Sequence, residues 1–136
     1  MKVFEQTLDA RVHKLQTFLT SQESPLAPYA EHMVRVSDTH GIDYTLMASI
    51  SAIESSYGKK VKPGSYNPFG LGGRNFMTFN SWEEAIDYEA KLLGKHYRYN
   101  SVRAIGSKYC PASECNAHWA DVVTKSAEKI LAVESK

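Results

Sequence analysis

Glu54 is the residue whose type and placement could do chemistry. It stands in Ser51-Ala52-Ile53-Glu54-Ser55-Ser56-Tyr57-Gly58, at the end of an apolar helical run. The stretch that follows, Lys59 to Phe79, is rich in Gly, Pro and aromatic residues and holds no Asp or Glu. A lone carboxyl on the rim of a buried helix suits a general acid working on a neutral polymer such as a glycan. Partial burial disfavours its anion, and the negative end of the helix dipole disfavours it by a further ~0.3–1 kcal/mol. A carboxyl kept protonated in this way can donate to a leaving-group oxygen near neutral pH. The plainer alternative is an exposed helix residue, or a buried acid tied to a backbone amide.

The residues around Glu54 carry the first reading. Tyr57, Tyr66, Asn67 and Phe69 are suited to stacking on sugar rings and hydrogen-bonding acetamido groups. Gly70, Gly72 and Gly73 would let a chain approach the backbone closely. No acid occurs from Ser55 to Trp82, so this segment cannot supply a second carboxylate at the separation a two-acid glycosidase needs. Asp43 lies three helical turns back, roughly 16 Å along the axis. Glu83, Glu84 and Asp87 come next, and the first two are occupied in a helix cap. A single-acid mechanism is expected.

The elements that must position these residues read as helices throughout. Phe4, Leu8, Val12, Leu15 and Leu19 form one apolar stripe over residues 3–20. Pro25 and Pro28 open a second helix that stops at Gly41. Asp43 reads as the N-cap of a third, with Leu46, Ile50, Ile53 and Tyr57 on its buried face and Gly58 as its stop. Between Lys59 and Phe79 a loop is predicted, with room for a short hairpin ending in Phe76-Met77-Thr78-Phe79. Ser81-Trp82-Glu83-Glu84 is a capping box opening a helix to about Tyr97. A short turn over 101–105 and a last helix capped by Asn116 complete an all-α domain. Residues 1–24 read as a helix packing on or leading into it, and 25–136 as the domain proper. A loop of that length inside a compact domain is usually functional.

Composition excludes several classes. The 136 residues suit one domain, and 23% charged with 43% hydrophobic residues is ordinary for a globular protein. A formal charge of +1 lacks the basic stripe of a nucleic-acid binder. No apolar run approaches the ~18 residues of a membrane span. His13, His32, His40, His96 and His118 show no metal-ligand spacing, and nothing points to a cofactor. Ser55-Ser56 has no nearby His for a nucleophile triad. The Gly-rich stretch lacks the Lys-Ser/Thr of a phosphate loop. Cys110 and Cys115 bracket four residues, a spacing that could close a small disulfide or leave two free thiols. A disulfide would imply an oxidising compartment. Residues 1–9 lack the features of a signal peptide, so an extracytoplasmic location implies an export segment absent from this chain.

Ala52-Ile53-Glu54-Ser55-Ser56-Tyr57-Gly58 followed by Asn67-Pro68-Phe69-Gly70-Leu71-Gly72-Gly73 resembles the lysozyme-like superfamily. The nearest branches are the family 23 lytic transglycosylases, with the goose-type lysozymes, and the family 73 glucosaminidases. The likeness runs from about Ala30 to Ile130 and includes Ser81-Trp82-Glu83-Glu84-Ala85-Ile86, Tyr109 and Trp119. It implies a single lysozyme-like helical domain in which Glu54 is the catalytic acid. Ser55 matches a substrate-contacting Ser, Asn67 and Gly70 match a cleft-lining motif, and Tyr109 matches a Tyr near the acid, with Tyr97 and Tyr99 as rivals. The implied substrate is the peptidoglycan glycan strand, cut by a monomer outside the cytoplasm. The leading expectation is a lytic transglycosylase breaking the MurNAc-GlcNAc bond through attack of the muramoyl 6-hydroxyl. Hydrolysis by a muramidase or glucosaminidase is the alternative, and a non-catalytic glycan- or protein-binding module is the third.

Overall fold

A computed structural model describes residues 2–97, 101–109 and 113–134, with side chains described from Leu8 onwards and, in the last helix, from Cys115. Among the described residues the chain forms six α-helices and no strand: α1 Lys2–Ser21, α2 Ala30–His40, α3 Leu46–Ser55, α4 Trp82–His96, α5 Val102–Tyr109 and α6 Ser113–Leu131. The all-α expectation holds. A 3₁₀ turn, Ala27–Tyr29, leads into α2 with Pro28 inside it.

The core gathers on α3, the most apolar of these helices. Met47, Ala48 and Ile50 are fully buried, in one cluster with Leu15 and Leu19 of α1, Met33 and Val34 of α2, Ile86 and Leu93 of α4, and Trp119 and Val123 of α6. Each such Leu or Ile contributes about 1.5–3 kcal/mol over leaving it in water. The helix at residues 2–21 shares this core. It is also tied down by Arg11, whose guanidinium grips Asp38 of α2 at 2.7 and 2.9 Å, and by Lys14, which donates to the Leu131 carbonyl at 2.8 Å.

Several boundaries differ from the sequence reading. Asp43 does not cap α3. Its Oδ1 accepts the Thr45 amide at 2.8 Å in a local turn, and the helix begins one residue after Thr45. The helix also stops before Gly58, because Ser56 and Tyr57 both take left-handed backbone conformations (φ 51° and 61°). The Ser56 amide bonds the Ala52 carbonyl and the Tyr57 amide the Ser51 carbonyl, which closes the helix end. Tyr57 therefore leaves the helical face assigned to it.

The turn near 101–105 is a full helix to Tyr109. Asn116 lies inside α6 rather than at its cap, and its side-chain amide holds the Arg103 carbonyl at 3.0 Å, fastening α5 to α6. No strand ladder forms at Phe76–Phe79, where the Phe79 amide reaches the Ser65 carbonyl at 2.7 Å. The cap at Ser81 is as expected: its hydroxyl accepts the Glu84 amide at 3.1 Å.

Candidate active site

The loop between α3 and α4 folds around Asn67. Its side-chain NH₂ donates to the carbonyls of Leu71 (2.9 Å) and Met77 (3.0 Å), while its oxygen accepts the amides of Phe69 and Leu71. One buried amide thus satisfies four backbone groups of a segment without ladder bonds of its own. Phe69 anchors the loop from below and is fully buried. Ser55 is buried too. Its hydroxyl donates to the Pro68 carbonyl at 2.7 Å and accepts the Gly58 amide at 2.9 Å, which pins the loop to the end of α3.

This pinning lays Gly70 directly on Glu54. A Cβ at Gly70 would collide with Glu54 Oε1 and sit 3.0 Å from its Cδ, and its φ of +65° also disfavours any larger residue. Gly70→Ala is therefore expected to displace the carboxyl and lower turnover by about 10²-fold, the effect of an ångström-scale misplacement. Comparison of kcat with that of wild type, on a protein of unchanged helical circular dichroism, checks it.

Glu54 is half-buried and bonded from the other side by Trp119, whose indole Nε1–H donates to Oε2 at 2.9 Å. Burial raises the pKa of Glu54, and the indole bond opposes it by favouring the anion. Trp119→Phe removes that donor, so the proton should be held more tightly. The alkaline limb of kcat/KM is then expected to move to higher pH, and a limb that stays in place would count against Glu54 as the titrating acid.

The acid opens onto a cleft of about 360 Å³, walled by Gly70, Leu71, Gly72 and Gly73 on the loop side and by Leu92, Tyr97, Lys108 and Tyr109 opposite. Glu54 is the one carboxyl lining it among the described residues. Tyr109 is stacked on Trp119, with ring centres 5.0 Å apart and planes 22° from parallel. A depression of about 430 Å³ between α5 and α6 is larger, but its lining of Ser101, Val102, Arg103, Ala117, Ala120, Asp121 and Thr124 holds neither a buried acid nor an aromatic ring.

The structure brings Glu54, Gly70 and Tyr109 together and places the remaining expected residues elsewhere. Ser55, Asn67 and Phe69 build the loop from inside instead of facing the cleft. Tyr57 bonds Ser126 through its hydroxyl at 2.8 Å and packs on Phe18. Tyr66 is 38% exposed and packs edge-on against Trp82. Of the rivals to Tyr109, Tyr97 also lines the cleft, and Tyr99 lies outside the described residues. Cys110 lies outside them as well; no cysteine within them is free. No group of three His, Cys, Asp or Glu among the described residues could hold a metal ion.

One residue escaped sequence reasoning. Glu89, on α4, is fully buried, and its Oε2 accepts the Tyr109 hydroxyl at 2.9 Å. Burial pushes its pKa up to about 8, the Tyr109 bond opposes this, and the charge of Glu54 adds to it. The signal was present in the pattern: Glu89 falls between Ile86 and Leu93 on the apolar stripe of its helix.

Among the described residues, then, an all-helical domain presents one half-buried acid beside a Gly-lined cleft. The family model described as Glucosaminidase, mannosyl-glycoprotein endo-beta-N-acetylglucosaminidase, matches residues 30–131, and the chain belongs to this glucosaminidase family. Membership makes it a peptidoglycan-acting glycosidase, and it favours the hydrolytic glucosaminidase alternative over the lytic transglycosylase that led the sequence reading. Comparisons with curated proteins and with solved structures returned no match. No described helix is long and apolar enough to cross a membrane.

Proposed function

We propose that this protein is a peptidoglycan N-acetylglucosaminidase that hydrolyses the β-1,4 bond following N-acetylglucosamine, with Glu54 as its acid and base. The observation that carries the reading is the Glu54 carboxyl held by Trp119 at the Gly70 wall of the cleft, within a chain of the glucosaminidase family. The cleft offers no second carboxylate among its described lining. Glu89 is sealed in the core, so it cannot serve as a nucleophile or activate a water there. The substrate's own 2-acetamido oxygen fills that role. Glu54 protonates the glycosidic oxygen as the bond breaks, and the acetamido oxygen closes on the anomeric carbon to form an oxazolinium ion. Water then attacks that carbon, gives its proton to the Glu54 carboxylate, and reopens the ring to a reducing sugar. The enzyme acts as a monomer, outside the cytoplasm, on wall glycan.

Mass spectrometry of soluble fragments released from purified peptidoglycan tests the reading. Fragments ending in reducing N-acetylglucosamine are expected. Ends in reducing muramic acid would reassign the bond, and 1,6-anhydro-muramic ends would restore the transglycosylase.

A further inference from the structure

Glu89 is the one acid among the described residues that is fully buried. A carboxyl on the core stripe of α4 is a costly choice for packing alone, since an apolar residue of similar volume would serve the core as well or better. Among the described residues its Oε1 is buried without a hydrogen-bond partner, and Oε2 alone is engaged, by the Tyr109 hydroxyl. That single bond leads directly to the cleft. Tyr109 forms part of the wall and stacks on Trp119, and Trp119 holds Glu54. The connected residues come from α4, α5, α6 and α3, so four helices meet through three contacts. A phenol has one proton to give. With that proton donated inward to Oε2, and the neutral carboxyl's own proton on Oε1, the Tyr109 oxygen can offer only lone pairs to anything in the cleft.

We infer that Glu89 is a positioning residue: it holds the Tyr109 hydroxyl from behind, fixes the ring against Trp119, and makes Tyr109 an acceptor for a substrate N–H. The matching donor, resting on the glycosidase reading above, is the 2-acetamido N–H of the sugar beside the scissile bond. Accepting that N–H turns the acetamido carbonyl towards the anomeric carbon, which the substrate-assisted step requires. Besides Glu89 itself, the titratable groups around Tyr109 among the described residues are Glu54, Tyr97 and Lys108, and none of these is bonded to its hydroxyl.

The test compares Glu89→Ala, Glu89→Gln and Tyr109→Phe by kinetics on peptidoglycan and by the Trp119 indole N–H resonance, assigned with a Trp82→Phe reference. Glu89→Ala is expected to shift that resonance and to lower kcat by about 10²-fold, with a smaller change in KM. Glu89→Gln should keep the resonance and recover most of the turnover, because its amide oxygen still accepts from Tyr109. Tyr109→Phe cuts the same bond while leaving the core filled, so it decides the matter if Glu89→Ala does not fold. An indole resonance left at its wild-type position in Tyr109→Phe overturns the inference. So does a Glu89→Gln protein as slow as Glu89→Ala. A wild type that releases nothing from peptidoglycan would defeat the glycosidase reading alone, and the indole resonance would still decide the positioning.

Discussion

Glu54→Gln is expected to remove turnover, by on the order of 10²–10⁴-fold for loss of a general acid, while glycan binding persists. Gln has the size of Glu, and its carbonyl oxygen can still accept the Trp119 indole N–H. The cleft therefore keeps its shape, and Gly70 keeps its contact with the side chain. What disappears is the transferable proton. Because Glu54 is half-buried and burial disfavours its anion, a neutral amide at this position should leave the fold as stable or slightly more so. Release of soluble fragments from peptidoglycan, beside a pull-down on the same insoluble glycan, separates the two effects. Undiminished release from the variant would place the acid elsewhere. A wild type that binds without releasing anything would leave the binding-module reading.

The second large effect concerns stability rather than turnover. Glu89 holds its proton up to about pH 8 in the folded protein, whereas in the unfolded chain it gives the proton up near the ordinary value of 4.5. Between these values the folded state binds one more proton than the unfolded state. Stability therefore falls as pH rises, by about 1.4 kcal/mol per unit from this group, and levels off above about pH 8. Across the window the loss amounts to a few kcal/mol, a large part of the ~5–15 kcal/mol that holds a typical domain together. Glu89→Gln cannot titrate and removes that slope. At acidic pH the variant should be less stable than wild type, because its buried NH₂ leaves two N–H groups without a partner where the protonated carboxyl leaves one O–H, at a cost of about 1–3 kcal/mol. At alkaline pH it should be the more stable, so the two curves cross. Urea unfolding at pH 5, 7 and 9 measures this, and parallel curves would mean that Glu89 titrates as an ordinary carboxyl.

The residues legible in the sequence were those whose local pattern carries their role. Ser81 announced its cap because Glu84 stands at the required spacing. The stripes through Leu15 and Leu19, and through Ile86 and Leu93, announced their helices by period. Glu54 stood out because an acid ended an apolar run and faced a segment without acids. Local pattern misled where a side chain's partner is distant. Asn67 looked like a ligand for sugar, yet its amide organises the loop. Ser55 looked like a substrate contact, yet its hydroxyl clamps Pro68. Tyr57 was placed on a helical face, and the left-handed turn at Ser56 swung it towards Phe18 and Ser126.

By itself, then, the sequence determined an all-helical domain, its one long loop and the acid at that loop's edge. Helical periods, caps and breakers act over a few residues, so a linear chain records them. Only the tertiary structure decided that Trp119, 65 residues away, would hold Glu54, and that Glu89 would reach Tyr109 across 20. Those contacts depend on how α3, α4, α5 and α6 pack. Packing direction is set by the whole core, and no short stretch of sequence contains it.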